Sequence, residues 1–166
     1  MSLTWDEFVT AHAAVVLAAA LRVLGSQADA DDVAQDVFME IFQAGNFSQL
    51  YSQPALVRTM ATRRAIDRLR RYKTTVSLEG SEYRAREFEP GEYAIAAELD
   101  ERLRDAVRHL PAREAEVFCM FYFDDCPQSE IAQLLNISKG AVTKSLCSAR
   151  NRLSQAFSNL DPETHR

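Results

Sequence analysis

Residues 129–146 read Ser129-Glu130-Ile131-Ala132-Gln133-Leu134-Leu135-Asn136-Ile137-Ser138-Lys139-Gly140-Ala141-Val142-Thr143-Lys144-Ser145-Leu146, and the fold turns on how they are read. Ile131, Leu134 and Leu135 share one apolar face of a first helix, and small Ala132 lets a second helix approach closely. Asn136 tolerates the left-handed conformation that stops a helix. Ser138 is a strong N-cap for the next helix, whose Val142 and Leu146 lie one turn apart and return its apolar side to the first. The pattern is a helix-turn-helix, a motif whose second helix enters the major groove of DNA. An ordinary helical hairpin inside an all-helical core would satisfy the same residues, so the rest of the chain must decide.

Upstream, Leu110-Pro111 interrupts two helical stretches. Ile95, Leu99, Leu103, Ala106 and Val107 predict a helix over 94–109, and Val117, Phe118, Met120, Phe121 and Phe123 supply a bulky core after Pro111. Glu114 and Glu116 fall early in that second stretch, where acids suit the helix dipole. From Thr74 to Glu92 the periodicity is lost, and Gly80, Pro90 and Gly91 among alternating charges predict an exposed, flexible linker. The expected organisation is therefore all-α: one helical domain over 1–73, a linker over 74–93, and a helix-turn-helix domain over 94–166. No strand pattern or internal repeat occurs.

In the first half, Thr4 and Glu7 form a capping box before an apolar run, predicting a helix from Trp5 to Leu24 that Gly25 ends. A second helix is expected from an N-cap at Asp29. Ala30, Val33, Ala34, Val37, Phe38, Ile41 and Phe42 give it an unbroken apolar stripe. Its opposite face carries Asp32, Gln35, Asp36, Met39, Glu40 and Gln43, which is either a solvated face or, with an adaptable methionine among carboxylates, a partner surface. A third helix starts at Pro54, with Val57, Ala61, Ala65, Leu69 and Tyr72 as its buried stripe. Arg63, Arg64, Arg68, Arg70 and Arg71 crowd the rest of it, and Asp67 is within helical reach of some of them. The remaining arginines need an anion, for which a phosphate backbone is suited.

Charge follows the same division. The net charge of −5 argues against a protein that grips DNA unaided. Yet residues 1–50 are net −6 while residues 51–75 hold seven bases against one acid, so two partners of opposite charge are implied. No apolar run long enough to span a membrane and no signal peptide are read, so a cytoplasmic chain without membrane insertion is expected. Cys119, Cys126 and Cys147 lack metal-ligand spacing, and His12, His109 and His165 have no nearby second ligand, so neither metal nor cofactor is expected. No nucleophile has a neighbouring base and no phosphate-binding glycine loop exists, which points away from an enzyme.

Four motifs in order carry a resemblance. Asp29-Ala30-Asp31-Asp32-Val33-Ala34-Gln35-Asp36-Val37-Phe38 resembles the D-A-E-D-L-x-Q-E-V-F segment of bacterial extracytoplasmic-function (ECF) sigma factors. Ala61 with Ile66-Asp67-Arg68-Leu69-Arg70-Arg71 resembles their promoter-melting and minus-ten helix. Leu110-Pro111-Ala112-Arg113-Glu114-Ala115-Glu116-Val117 resembles L-P-x-R-E-R-E-V, and Ser129-Glu130-Ile131-Ala132 with Ser138 to Val142 resembles the E-I-A and S-x-x-T-V of their fourth domain. The resemblance spans about residues 8–157. It implies a transcription initiation factor that takes core RNA polymerase to promoter DNA. The acidic face at Asp32, Gln35, Asp36, Met39 and Glu40 would dock on the β′ clamp helices. Arg63, Arg64, Arg68, Arg70 and Arg71 would meet the minus-ten element and the opened strand. Lys139, Thr143, Lys144 and Arg150 would enter the minus-thirty-five major groove, with the β flap as a further polymerase contact and an anti-sigma factor as a further partner.

The chain departs from the family pattern in places. Leu56 stands where tryptophan is usual and Arg63 where asparagine is usual. In the last helix Ala141 replaces threonine, Thr143 lysine, and Ser145 and Ser148 arginines, so fewer cations face phosphate there. Two other classes therefore stay open: a helix-turn-helix regulator acting without polymerase, and a degenerate sigma-like protein that binds partners without opening promoters.

Overall fold

The computed structural model describes the backbone of residues 3–79 and 92–158, and side chains for 3–72 and 98–158. Among the described residues every regular element is helical: α1 (Trp5–Leu24), α2 (Gln27–Ala44), α3 (Phe47–Leu50), α4 (Pro54–Glu79), α5 (Glu92–Arg108), α6 (Ala112–Tyr122), α7 (Gln128–Leu135) and α8 (Lys139–Ser158). The expected linker is entered by α4, since nothing in Thr74–Glu79 breaks a helix before Gly80; residues 80–91 lie outside the described residues.

Local chemistry sets the ends. At α1 the Thr4 hydroxyl accepts from Glu7 N–H, and the Glu7 carboxylate accepts from Thr4 N–H at 2.8 Å. Gly25 ends α1 at φ +67, a conformation that glycine adopts without strain. The N-cap of α2 is Ser26, accepting from Asp29 N–H, rather than Asp29 itself. Ser26 lies closer to the preceding turn, and Asp29 is thereby freed for a different partner. The four-residue α3 lies between α2 and α4.

The first unit packs α1 against α4 and α2. Phe8, Val16, Ala19, Ala20 and Val23 of α1 meet Val33, Val37 and Ile41 of α2 and Val57, Ala61, Ala65 and Leu69 of α4. By length and a mean hydropathy of 1.7, α1 could cross a membrane, contrary to the sequence reading that no run was long enough. Its Val16, Ala19, Ala20 and Val23 are buried in this core, while Ala11 and Ala14 are exposed. Tyr72, expected in the buried stripe, is 40% exposed. By that point Leu69 has met the end of the core and the ring turns to α2 instead.

The second unit has its own helix-turn-helix core of Val117, Met120, Cys126, Ile131, Leu135, Val142 and Leu146. Asn136 stops α7 at φ 52 and Ser138 caps α8 by accepting from Ala141 N–H at 3.0 Å, as the sequence pattern requires. Val107, Leu110, Ala115, Phe118, Cys119, Ala149 and Leu153 do not join that core. They continue the core of the first unit, so the two units meet through a shared apolar layer.

Candidate nucleic-acid interface

The third long helix, α4, places its basic residues on two sides. One side looks at α2. Arg64 donates to Glu40 at 2.6 Å, and Arg68 donates to Asp29 and Asp32, each at 2.8 Å. Tyr72 donates its hydroxyl to Asp29 at 2.7 Å, and the Arg68 guanidinium lies 5.9 Å from the Tyr72 ring centre. Burial raises the Asp29 carboxyl, but hydrogen bonds from Tyr72, Arg68 and Ser26 outweigh it and leave its pKa below the ordinary 3.8. Hydrogen bonding to Glu40 and to Asp29 correspondingly raises Arg64 and Arg68.

The other side looks at the second unit. Arg63 pairs with Glu116, which Arg113 also holds at 2.8 Å. Arg70 donates to the Leu110 carbonyl at 2.9 Å, and Arg58 lies 3.7 Å from Glu130. Between them Thr62, fully buried, donates to Asp124 at 2.8 Å, and Arg22 of α1 reaches the other oxygen of the same carboxylate at 3.3 Å. Burial pushes the Asp124 carboxyl above its ordinary value, against the hydrogen bond from Thr62 and the charges of Arg58 and Arg22.

Thus the structure brings two of the expected DNA-facing residues, Arg64 and Arg68, beside the expected polymerase-facing residues of α2, while Arg63 and Arg70 face the second unit. Asp32 and Glu40 are tied to Arg68 and Arg64, while Gln35, Asp36 and Met39 are exposed, Met39 at 55%. Asp36, Arg64, Asp67, Arg68 and Arg71 line one shallow polar pocket along the α2–α4 seam. The sequence reading looked for anions within α4, at Asp67; the ion pairs found here reach to α2 and α6 instead, because a helix crossing presents whole rows of side chains to each other. The Arg64–Glu40 pair, exposed on both sides, is worth about 0–1 kcal/mol.

On the second unit Lys139, Thr143, Lys144 and Arg150 are all exposed on α8. Thr143 donates to Gln128 of α7 at 2.8 Å, so one of the expected groove contacts already has a side-chain partner. Sequence reasoning missed Asp29, Asp124, Thr62 and Arg22. The first was taken for a cap and the others sit in no recognisable spacing. The thiols of Cys119 and Cys126 are buried, and burial raises both, Cys126 to about 11, so neither is a reactive thiolate at neutral pH.

A basic helix beside an acidic one, followed by a helix-turn-helix with Lys139, Lys144 and Arg150 exposed on its second helix, is the arrangement of a two-unit DNA-binding protein. Comparison with known proteins is specific. The Sigma-70 region 2 family matches residues 8–75, and the family described as Sigma-70, region 4 matches residues 100–153. The chain is similar to the ECF RNA polymerase sigma factor SigW of Bacillus subtilis (strain 168), 24% identical over 151 residues that cover 84% of this chain and 81% of that one. The chain belongs to the sigma-70 family, as a sigma factor of the ECF type.

Proposed function

We propose that this sigma factor docks core RNA polymerase through the outward face of α2, with Asp32, Gln35, Asp36, Met39 and Glu40 against the β′ clamp helices. Arg63, Arg64, Arg68, Arg70 and Arg71 of α4 then take the minus-ten element and the opened strand. Lys139, Thr143, Lys144 and Arg150 of α8 take the minus-thirty-five groove, while the second unit meets the β flap. The functional division is residues 1–73, a linker over 74–93, and 94–166. The protein acts in the cytoplasm as an initiation factor and carries out no chemistry itself. Regulation by an anti-sigma factor is part of this reading.

The observation that carries the reading is α2. Five polar or adaptable residues are exposed along one face while Val33, Val37 and Ile41 opposite are at most 1% exposed. A fully helical, acidic, outward surface has no use in a protein that only grips DNA. Asp36→Arg together with Gln35→Ala alters the exposed middle of that face. Core-polymerase affinity should fall by at least tenfold, a loss of about 1.4 kcal/mol, with helical content intact. Unchanged affinity for core would mean that polymerase is held elsewhere.

A further inference from the structure

The hydroxyl of Thr143 is held from two sides. It donates to Gln128 Oε1 on α7 at 2.8 Å, and its oxygen lies 3.1 Å from the Lys139 carbonyl one turn back on α8. A hydroxyl has a single proton, and both acceptors belong to the protein, so that proton is turned inward whichever of them takes it. Thr143 is exposed, and what it can still offer a neighbour is its γ-methyl group and an oxygen lone pair. Threonine in a helix divides between two χ1 rotamers, because its oxygen can reach carbonyls three or four residues back. A second acceptor on another helix selects one of them. Gln128 is placed for that role: it opens α7, is partly exposed, and meets the recognition helix across 15 residues of chain. Thr143 stands where the family pattern has lysine, so what it reads does not come with that pattern.

We propose that Gln128 is a specificity-determining positioning residue: by holding the Thr143 hydroxyl it fixes the γ-methyl group towards the major groove, where Thr143 reads the C5 methyl of a thymine. This rests on the reading of α8 as the helix that enters the minus-thirty-five groove. The C5 methyl is the apolar group that the major groove displays, and a threonine methyl is one of the groups that meet it. A free hydroxyl at the same place would donate to a purine N7 or a carbonyl oxygen and would tell the bases apart differently; the bond to Gln128 withdraws that option. Gln128 itself touches no base and acts through Thr143.

The test uses the full chain assembled with core polymerase and a duplex library randomised over the minus-thirty-five segment, with bound and unbound fractions sequenced. One position should favour thymine, and deoxyuridine there, which lacks only the methyl group, should bind about fourfold more weakly. Thr143→Ser keeps the hydroxyl and loses the methyl, and should bind the two bases equally. Gln128→Ala lets the second rotamer fill and should lower the discrimination to about twofold. Gln128→Glu keeps an acceptor for the hydroxyl and should restore the discrimination, while its charge weakens all sequences alike. Thr143→Val keeps a γ-methyl and holds one helical rotamer without a partner, so discrimination should persist and Gln128→Ala should no longer reduce it. If Gln128 served stability alone, Gln128→Ala would weaken every sequence and leave the thymine-to-deoxyuridine ratio at the wild-type value, which overturns the proposal; so does equal binding of the two bases by wild type. A base preference in this segment that ignores Gln128 and Thr143 removes this inference and leaves α8 as the reading helix. Absence of any preference in the segment removes both.

Discussion

Thr62→Val is the most informative single substitution in the contact between the units. Thr62 is 0% exposed, and its hydroxyl donates to Asp124 Oδ2 at 2.8 Å. The Asp124 side chain is 2% exposed, and its other oxygen has the longer 3.3 Å contact from Arg22. Valine keeps the β-branched shape and a comparable helix propensity, so the change isolates one hydrogen bond to a charged acceptor. Such a bond contributes about 1.5–3 kcal/mol. For a chain of this size each kcal/mol moves the midpoint by roughly 2–4 °C, so Tm should fall by about 3–12 °C. The loss depends on pH in a defined direction. Burial raises the folded pKa of Asp124 above the ordinary 3.8, so its contribution to stability is greatest below that value and declines as pH rises towards the folded pKa. Removing Thr62, which opposes the shift, raises the folded pKa further and enlarges the neutral-pH penalty. The gap between variant and wild type should therefore be full at neutral pH and shrink below 3.8, where Asp124 is protonated in both folded and unfolded chains. Thermal and denaturant unfolding at several pH values measure it. A neutral-pH loss within about 0.5 kcal/mol of zero, or an equal loss in an Asp124→Ala background, would refute the reasoning.

Two further substitutions probe the helix ends. Gly45→Ala, at φ +65 with open space around the new methyl group, should cost about 1 kcal/mol. Gly25→Ala should cost more, because a Cβ there falls within 2.5 Å of the Arg104 guanidinium; the excess should vanish in an Arg104→Ala background, as denaturant midpoints will report. Tyr72→Phe removes a donor from Asp29, whose folded pKa lies below the ordinary 3.8. Wild type should be the more stable above that value, and its advantage should disappear as pH falls through the folded pKa, which acid-titrated unfolding curves test.

Local signals in the sequence were sufficient for the long helices, though not for α3 or for the run of α4 to Glu79. The Thr4–Glu7 capping box and the Asn136–Ser138 turn are each written within a few residues and form as read, and the apolar stripe of α2 does so except at Phe42, which is 54% exposed. Side-chain partners were not legible. Thr62 meets Asp124 across 62 residues, Arg68 meets Asp29 across 39, and Tyr72 meets Asp29 across 43, distances over which no period or spacing rule applies. Asp29 illustrates the failure: an aspartate at the start of an apolar run fits a cap, and only the crossing of α4 over α2 shows that Arg68 and Tyr72 claim it instead. The apolar layer between the units was hidden for a similar reason. Leu110, Phe118 and Cys119 look like the core of their own hairpin until a second helical unit is packed beside them.

The central claim is that the chain confers promoter recognition on RNA polymerase. The direct measurement is reconstitution of the purified chain with core polymerase on fragmented genomic DNA, followed by capture of open complexes and sequencing of the transcripts' starts. The account predicts discrete start sites that require the chain and are lost with Asp36→Arg/Gln35→Ala. Stable duplex binding by the chain alone, with no chain-dependent starts when polymerase is present, would contradict it.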